Sequence, residues 1–376
     1  MLIGPVYPYR GGIAHFTMEL AASIREAGHE VRIISFKRQY PKILYPGKSD
    51  LDPSQEVISV PAEYILDPLH PWTWGKARKF IVDEKPDLVV FQWWTTFWAP
   101  GFGTLARWLK RSGIKNTFLI HNVYPHERKI YDKALVKFAL KPADAFIVMA
   151  DTQKNHLLEL FPHKTVHLTP HPTYTFINKE KLDKNTAKEQ LGIPHDRKVA
   201  LFFGIVRPYK GLKLLIEAAG MLKNEGKPVH LLIAGEFWED INEYHKLIRA
   251  YGLSEWVTIY NRYIPNEEVP LIFNAADVFV APYLNGTQSG AVKLAGGFKL
   301  PIIVTPIIVD DNLKISLGKY LFISDSYIPK YLKDTIKNAL STSFNNFPEP
   351  NNDQSRYNLF QTIQEIIQVN HELTLQ

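Results

Sequence analysis

The stretch 201-LFFGIVRPYKGLKLLIEAA-219 runs an apolar strand into Gly204, sets Arg207 and Lys210 in the turn, and hands over to an amphipathic segment. A short apolar run followed by apolar residues at helical spacing reads as strand, loop and helix. Unpaired N–H groups and the positive end of the helix dipole gather at such a junction, so glycine, cations and helix start together suit an anion. Basic residues are also common on surface turns, where an exposed ion pair contributes little. The stretch by itself leaves both readings open. What it decides is the fold question, which is whether this unit recurs.

It recurs on both sides. Downstream come 228-PVHLLIAG-235, a helix through YHKLIRAYG, 256-WVTIYN-261, 277-DVFVAPY-283 and 301-PIIVTPIIV-309. Upstream, 15-HFTMELAASIREAG-28 has helical spacing, HEVRIISF reads as a strand, and 86-PDLVVFQWW-94, 117-TFLIHNV-123, 145-AFIVMA-150 and 165-TVHLTPH-171 are further apolar runs. Asp151 is placed to cap the helix that begins TQKNHLLELF. Short apolar strands alternating with helices predict parallel sheets covered on both faces, with ligands at the carboxyl ends of the strands. At 376 residues the chain exceeds what one core supports. The polar, lysine-rich segment 172-PTYTFINKEKLDKNTAKEQLG-192 marks the boundary between two doubly wound halves. We therefore expect an N-terminal domain over 1–174 and a C-terminal domain over 175–356. The polar segment 341-STSFNNFPEPNNDQSR-356 then gives a final helix, within 357–376, the length to cross back onto the first half.

Composition narrows the function. Hydrophobic residues make up 45% and charged ones 22%, as in ordinary globular proteins. An excess of 44 Lys plus Arg over 38 Asp plus Glu gives +6 and favours anionic partners. The basic residues are dispersed and no recognition motif accompanies them, so nucleic acid is not expected. With no cysteine there is neither a disulfide framework nor a thiolate metal site. Met1 leads directly into LIGPVYPYRGG, without a secretory pattern. The long uncharged run 88-LVVFQWWTTFWAPGFGTLA-106 is interrupted by Gln92, Pro100, Gly101 and Gly103, which reads as a buried strand and an aromatic loop. A soluble cytoplasmic protein is expected, with any membrane contact peripheral and on the inner face.

Four loops beyond strand ends carry chemistry. In 4-GPVYPYRGGIAHF-16, Gly11 and Gly12 open a helix; the spacing is not the dinucleotide fingerprint G-x-G-x-x-G. They satisfy a tight turn, or let the backbone approach a phosphate or sugar. In 118-FLIHNVYPHER-128, His121 stands at a strand end followed by Asn122, Pro125, His126 and Glu127, either as a satisfied polar group or facing a ligand. In 91-FQWWTTFWAP-100, Trp93, Trp94, Phe97 and Trp98 crowd one run. Core packing accounts for at least two of these rings, and exposed ones would suit sugar or lipid. In 282-PYLNGTQSGAVKLAGG-297, small and hydroxyl residues run into a helical pattern and present amides at its start. A fifth segment, 47-GKSDLDPSQE-56, holds the chain's Asp-x-Asp match, Asp50–Leu51–Asp52, and reads as a solvated loop.

Taken together, GPVYPYRGGIAHF, FQWW, HNVYPHE, FGIVRPYKG, IAGEFWED, RYIPNEEV, AADVFVAPY and TQSG resemble, in family order, a family-4 retaining glycosyltransferase of the GT-B fold. The resemblance implies an α/β chain of two Rossmann-like domains whose parallel sheets face a central cleft, and transfer of a hexose from a UDP- or GDP-sugar to a glycan or lipid-linked acceptor in surface polysaccharide or glycoconjugate synthesis. It implies no metal and no cofactor. Arg207 and Lys210 would hold the donor diphosphate, joined on the donor side by Gly11, Gly12, Glu236, Tyr263, Thr287, Gln288, Ser289 and Gly290. His121 would lie beside the transferred sugar, and Trp93, Trp94 and Trp98 would face the acceptor. Two departures stand out. The family's two glutamates, eight residues apart, align with Gly286 and Leu294, and 304-VTPIIVDDNLKISLGKYLFIS-324 lacks the usual glycine-rich stretch. The alternative is therefore a nucleotide-sugar or glycan-binding protein of the same fold without catalysis.

Overall fold

Among the described residues the apolar runs become thirteen strands in two separate sheets. The computed structural model describes residues 1–55, 57, 60–125, 127–169, 182–286, 289–343 and 359–368, apart from the side chain of Leu44. The first compact unit comprises Met1–Pro53 and Val57–His171, with the C-terminal residues from Asp353; the second comprises Ser54–Glu56 and Pro172–Asn352.

In the first unit the strands are β1 (Leu2–Ile3), β2 (Ile33–Phe36), β3 (Glu63–Leu66), β4 (Val89–Trp93), β5 (Asn116–Ile120), β6 (Ala145–Val148) and β7 (Thr165–Leu168). In the second they are β8 (Val199–Phe203), β9 (His230–Ala234), β10 (Val257–Tyr260), β11 (Val278–Ala281), β12 (Ile302–Val304) and β13 (Leu321–Ile323). All pairings between them are parallel, in the orders β3-β2-β1-β4-β5-β6-β7 and β10-β9-β8-β11-β12-β13. Each order steps outward in one direction from the unit's first strand and then reverses to its fourth. That reversal is where doubly wound sheets bind ligands, because the loops leaving the two central strands diverge to opposite faces and leave a crevice. The crevice loops are those after β1 and β4 in the first unit and after β8 and β11 in the second.

Burial follows from the strand period of two. Along β8, Val199 and Leu201 pack into one apolar cluster with Leu232, Phe273 and Phe279, while Ala200 and Phe202 pack into another with Leu215, Leu231 and Ile336. Helices therefore cover both faces, and the run has to be apolar throughout. The first sheet is built the same way. Phe91 and Trp93 face a cluster with Phe36, Phe102 and Phe118, and Val90 faces one with Leu2, Phe16 and Leu20. A helix over 359–368 adds Leu359, Ile363 and Ile366 to that second cluster. Their spacing of four and three lays one face of this helix on the first unit.

This packing corrects the acceptor reading of two tryptophans. Trp93 and Trp98 are 0% and 1% exposed, among rings of their own unit. Their indole N–H groups are satisfied inside it, Trp93 donating to the Val123 carbonyl at 3.3 Å and Trp98 to the Gln39 carbonyl at 3.1 Å. Neither has a face to offer a ligand. Trp94 is half-buried, one residue out of register with Trp93, and donates to the Tyr40 hydroxyl at 2.7 Å.

Candidate functional site

In the second unit three strand ends touch through their backbones. Gly204, Gly211 and Gly235 all have positive φ, at 104°, 68° and 153°. A Cβ on Gly211 would lie 1.9 Å from the Pro282 carbonyl oxygen, and one on Gly235 would lie 2.1 Å from that of Gly204. The loops after β8, β9 and β11 thus approach with no side chain between them. The Leu284 amide donates to the Tyr209 carbonyl at 2.6 Å and ties the first to the third.

Both opening cations stand on this platform. Arg207 precedes the short turn Pro208–Lys210, with its guanidinium 5.2 Å from the centre of the Trp238 ring. Lys210 Nζ lies 5.5 Å from the centre of the Tyr283 ring, and a Cβ on Gly204 would sit 3.0 Å from it. Burial, together with the Arg207 charge, holds the Lys210 ammonium below the usual lysine range. Two cations crowded in one turn are relieved by an anion between them. Glu236 is buried, accepting from the Val206 amide at 2.9 Å through its carbonyl and from Trp238 Nε1 at 3.2 Å through its carboxylate. It therefore fixes the ring on which Arg207 lies. Ser289 caps the helix Gly290–Gly297, accepting from the Val292 amide at 3.3 Å, and its hydroxyl is 2.9 Å from that of Tyr283. Tyr263, half-buried, follows β10, two strands from β8. Thr287 and Gln288 lie outside the described residues.

The first unit's loops are built differently. Gly11 takes φ 114° and caps the helix Gly12–Glu26, so its glycine is conformational. A Cβ on either Gly11 or Gly12 would meet nothing within 4 Å. His121 follows β5, its amide donating to the Trp93 carbonyl at 2.8 Å. Its Nε2 is 2.7 Å from Gln92 Oε1, and its ring meets Phe16 edge-on at 4.9 Å. Gln92 itself is fully buried, and its Nε2 has no partner among the described residues. Asn122 is half-buried beside His121, and His126 lies outside the described residues.

Asp50–Leu51–Asp52 is not the solvated loop expected from its polarity. Leu51 bridges Tyr9 in antiparallel fashion, Arg10 donates to the Asp50 carbonyl at 2.9 Å, and the Asp52 amide donates to the Pro8 carbonyl at 2.8 Å. The segment is a strap across the glycine loop. It carries Asp52 inside, 3.5 Å from His15 Nε2 in the first turn of the following helix. Burial holds His15 below its ordinary range, and the Asp52 charge opposes that shift. The pair braces the start of the helix that Gly11 and Gly12 open.

Comparison with known proteins follows the two units. The model described as Glycosyltransferase Family 4 matches residues 10–174, and the one described as Glycosyl transferases group 1 matches residues 183–307. The chain belongs to the family-4 glycosyltransferases of the GT-B fold. This glycosyltransferase is 24% identical over 360 residues to mannosylfructose-phosphate synthase of Agrobacterium fabrum, covering 84% of this chain and 76% of that one. With YtcC of Bacillus subtilis it is 28% identical over 174 residues, 43% of this chain and 42% of the relative. Among solved structures, Anabaena Alr3699/HepE in complex with UDP and glucose superposes with a TM-score of 0.69 at 14% identity, covering 99% of this chain and 97% of that one. Sucrose-phosphate synthase from Thermosynechococcus elongatus gives 0.67 at 16%, covering 98% and 94%.

Within the glycosyltransferase, the two positions expected to align with the family's glutamates differ in surroundings. Leu294 is 6% exposed in the second unit's core, and Gly286 takes φ 138°, where a side chain is strained. Between them the helix offers a residue the motifs did not single out. Lys293 lines a small cavity with Ser289 and Asp310. Burial lowers its pKa, partly offset by the Asp310 charge. Trp238 and Tyr283, the rings beside Arg207 and Lys210, were likewise missed, although both sit inside quoted motifs, GEFWED and VFVAPY.

Proposed function

We propose that the glycosyltransferase moves a hexose from a nucleoside-diphosphate sugar to a glycan or lipid-linked acceptor, with retention at the anomeric carbon and without a metal. The observation that carries this reading is the placement of Arg207 and Lys210 on a side-chain-free backbone platform at the strand-order reversal of the second unit. The solved neighbours that hold UDP or UDP-glucose supply the donor class.

In this reading the bond from the sugar's anomeric carbon to the diphosphate oxygen breaks, and the diphosphate gathers negative charge. Arg207, Lys210 and the amides at the start of Gly290–Gly297 stabilise that charge where it develops. The acceptor hydroxyl attacks from the face the diphosphate leaves, its oxygen bonds to the anomeric carbon, and its proton passes to the departing phosphate oxygen. His121 serves the sugar, held by Gln92 and Phe16. Lys293 and Ser289, which line one small cavity with Asp310 and neighbour the expected glutamate positions in sequence, would then tune donor preference.

Thermal melting against UDP, GDP and ADP with EDTA present tests the donor claim, since a ligand bound only by the folded state raises Tm. At least one diphosphate is expected to stabilise the protein under these conditions. Loss of every shift on adding EDTA contradicts the metal-free reading. Diphosphate binding without hydrolysis or transfer of any matching sugar donor leaves a binding protein, and NMR of the product's anomeric proton checks retention.

A further inference from the structure

With Trp93 and Trp98 buried, the first unit's apolar exposure lies in other places, Ile43, Leu69 and Trp72 among them, but one stretch combines it with charge. The loop after β5 and the helix Asp132–Leu140 carry Ile130 at 102%, Tyr131 at 54% and Phe138 at 41% exposure. Single exposed apolar residues are ordinary, but three large ones together on an exposed loop and helix call for an account.

Along this stretch of chain the exposed charges are nearly all positive; Glu159, on a neighbouring helix, acts on Tyr124. Arg128, Lys129, Lys133, Lys137 and Lys141 are all exposed, and the last three recur every four residues along one stripe of the helix. Val136, Ala139 and Leu140 form the helix's buried side, flanking the stripe. Glu127 is the one exposed carboxylate between 127 and 141. Asp132, by contrast, is 2% exposed and turned inward, accepting from Thr96 Oγ1 and from the Lys129 amide, each at 2.6 Å. The cations also lie against rings: Lys129 Nζ is 5.8 Å from the centre of Tyr131, the Arg128 guanidinium 4.0 Å from that of Tyr124, and the Arg107 guanidinium 4.0 Å from that of Phe138.

We infer that this face docks on an anionic lipid bilayer. Ile130 enters the acyl boundary, Tyr131 and Phe138 lie at headgroup level, and the lysines meet anionic headgroups. A nucleic acid would use the cations but leave a fully exposed isoleucine in water, so charge and apolarity together favour the membrane. No described helix is long and apolar enough to cross one, so attachment is to the surface. Ile130 and His121 belong to the same loop after β5, so a lipid-linked acceptor held at this face would lie on the side of the unit that carries the sugar-side histidine's loop. That last step rests on the function proposed above; the docking itself does not.

Co-sedimentation of the full chain with vesicles tests it without any turnover. Binding is expected to phosphatidylcholine vesicles containing phosphatidylglycerol, not to phosphatidylcholine alone, and to weaken as salt is raised. Lys133→Ala with Lys137→Ala should weaken it about 25-fold, roughly fivefold per lysine. Ile130→Ser, at a position without packing to lose, should weaken it about tenfold. Lys246→Ala with Arg249→Ala in the second unit removes the same charge and should leave binding unchanged. Unchanged melting temperatures show that the variants are folded. The inference is overturned by absence of binding, by equal binding to both vesicle types, or by an equal loss in the second-unit control.

Discussion

Gly211→Ala measures how closely the two crevice loops of the second unit are joined. At φ 68° an alanine pays the left-handed penalty of about 1–2 kcal/mol. Its Cβ would also start 1.9 Å from the Pro282 carbonyl oxygen, well over an ångström inside van der Waals contact. The loop cannot simply withdraw, because the Leu284 amide is bound to the Tyr209 carbonyl at 2.6 Å. Opening the gap forfeits that hydrogen bond, about 1 kcal/mol, on top of an overpacking cost of about 1–3 kcal/mol. The sum is roughly 3–6 kcal/mol, or about 6–24 °C in Tm for a unit of this size. Gly226→Ala is the control. Its φ of 72° carries the same backbone penalty, but nothing lies within 4 Å of the added Cβ. Thermal melts of both variants, with and without the stabilising diphosphate, separate strain from contact. Gly226→Ala should cost about 1–2 kcal/mol and keep the ligand shift, and Gly211→Ala should cost at least 2 kcal/mol more and lose it. Equal destabilisation of the two would refute the close approach on which the platform rests.

Other consequences are checked separately. Trp98→Ala should lower stability by about 3–5 kcal/mol, whereas Trp94→Ala should cost about 1–2 kcal/mol and raise the acceptor KM; denaturant melts and acceptor titrations distinguish them. His121→Ala should reduce kcat about tenfold or more with little change in diphosphate affinity, seen by comparing turnover with calorimetric binding. His230 is pushed down to about 4 by burial and by the Arg197 and Lys188 charges, while bonded to Thr258 Oγ1 at 2.9 Å. The unfolded chain takes up this proton first, so stability is lost as pH falls from about 6.5 to about 4. Discounted for solvent screening, that loss is about 1–2 kcal/mol, and His230→Gln should flatten this part of the melting-temperature profile.

The strands and their parallel pairing were legible because a sheet covered on both faces requires unbroken apolar runs such as 199-VALFF-203. The cation site was legible because glycine, cations and helix start are neighbours in sequence. What could not be read depends on contacts between distant segments. Trp93 and Trp94 are adjacent, identical in type and packed on the same cluster, yet the first, the last residue of β4, is sealed against Phe118 and the second, just past the strand, stays partly exposed and bonds the Tyr40 hydroxyl. Asp52 looked solvated because its partners, His15 and the Pro8 carbonyl, lie about forty residues earlier in the chain. Leu294 and Lys293 are consecutive in the helix Gly290–Gly297; helix phase sends the first into the core and the second into a cavity with Asp310. Ile130 carried no local signal, since its exposure reflects what fails to cover it.

The central claim is that Arg207 and Lys210 hold a diphosphate, and calorimetric titration of the stabilising nucleoside diphosphate tests it most directly. Each group donates to a charged oxygen, an interaction of about 1.5–3 kcal/mol. Arg207→Ala and Lys210→Ala should therefore each weaken binding about 10- to 150-fold, and the corresponding nucleoside monophosphate should lose less. Lys227→Ala, an exposed lysine of the same unit, should bind like the unmodified protein. Affinities within twofold of the unmodified protein in both Arg207→Ala and Lys210→Ala would contradict the account.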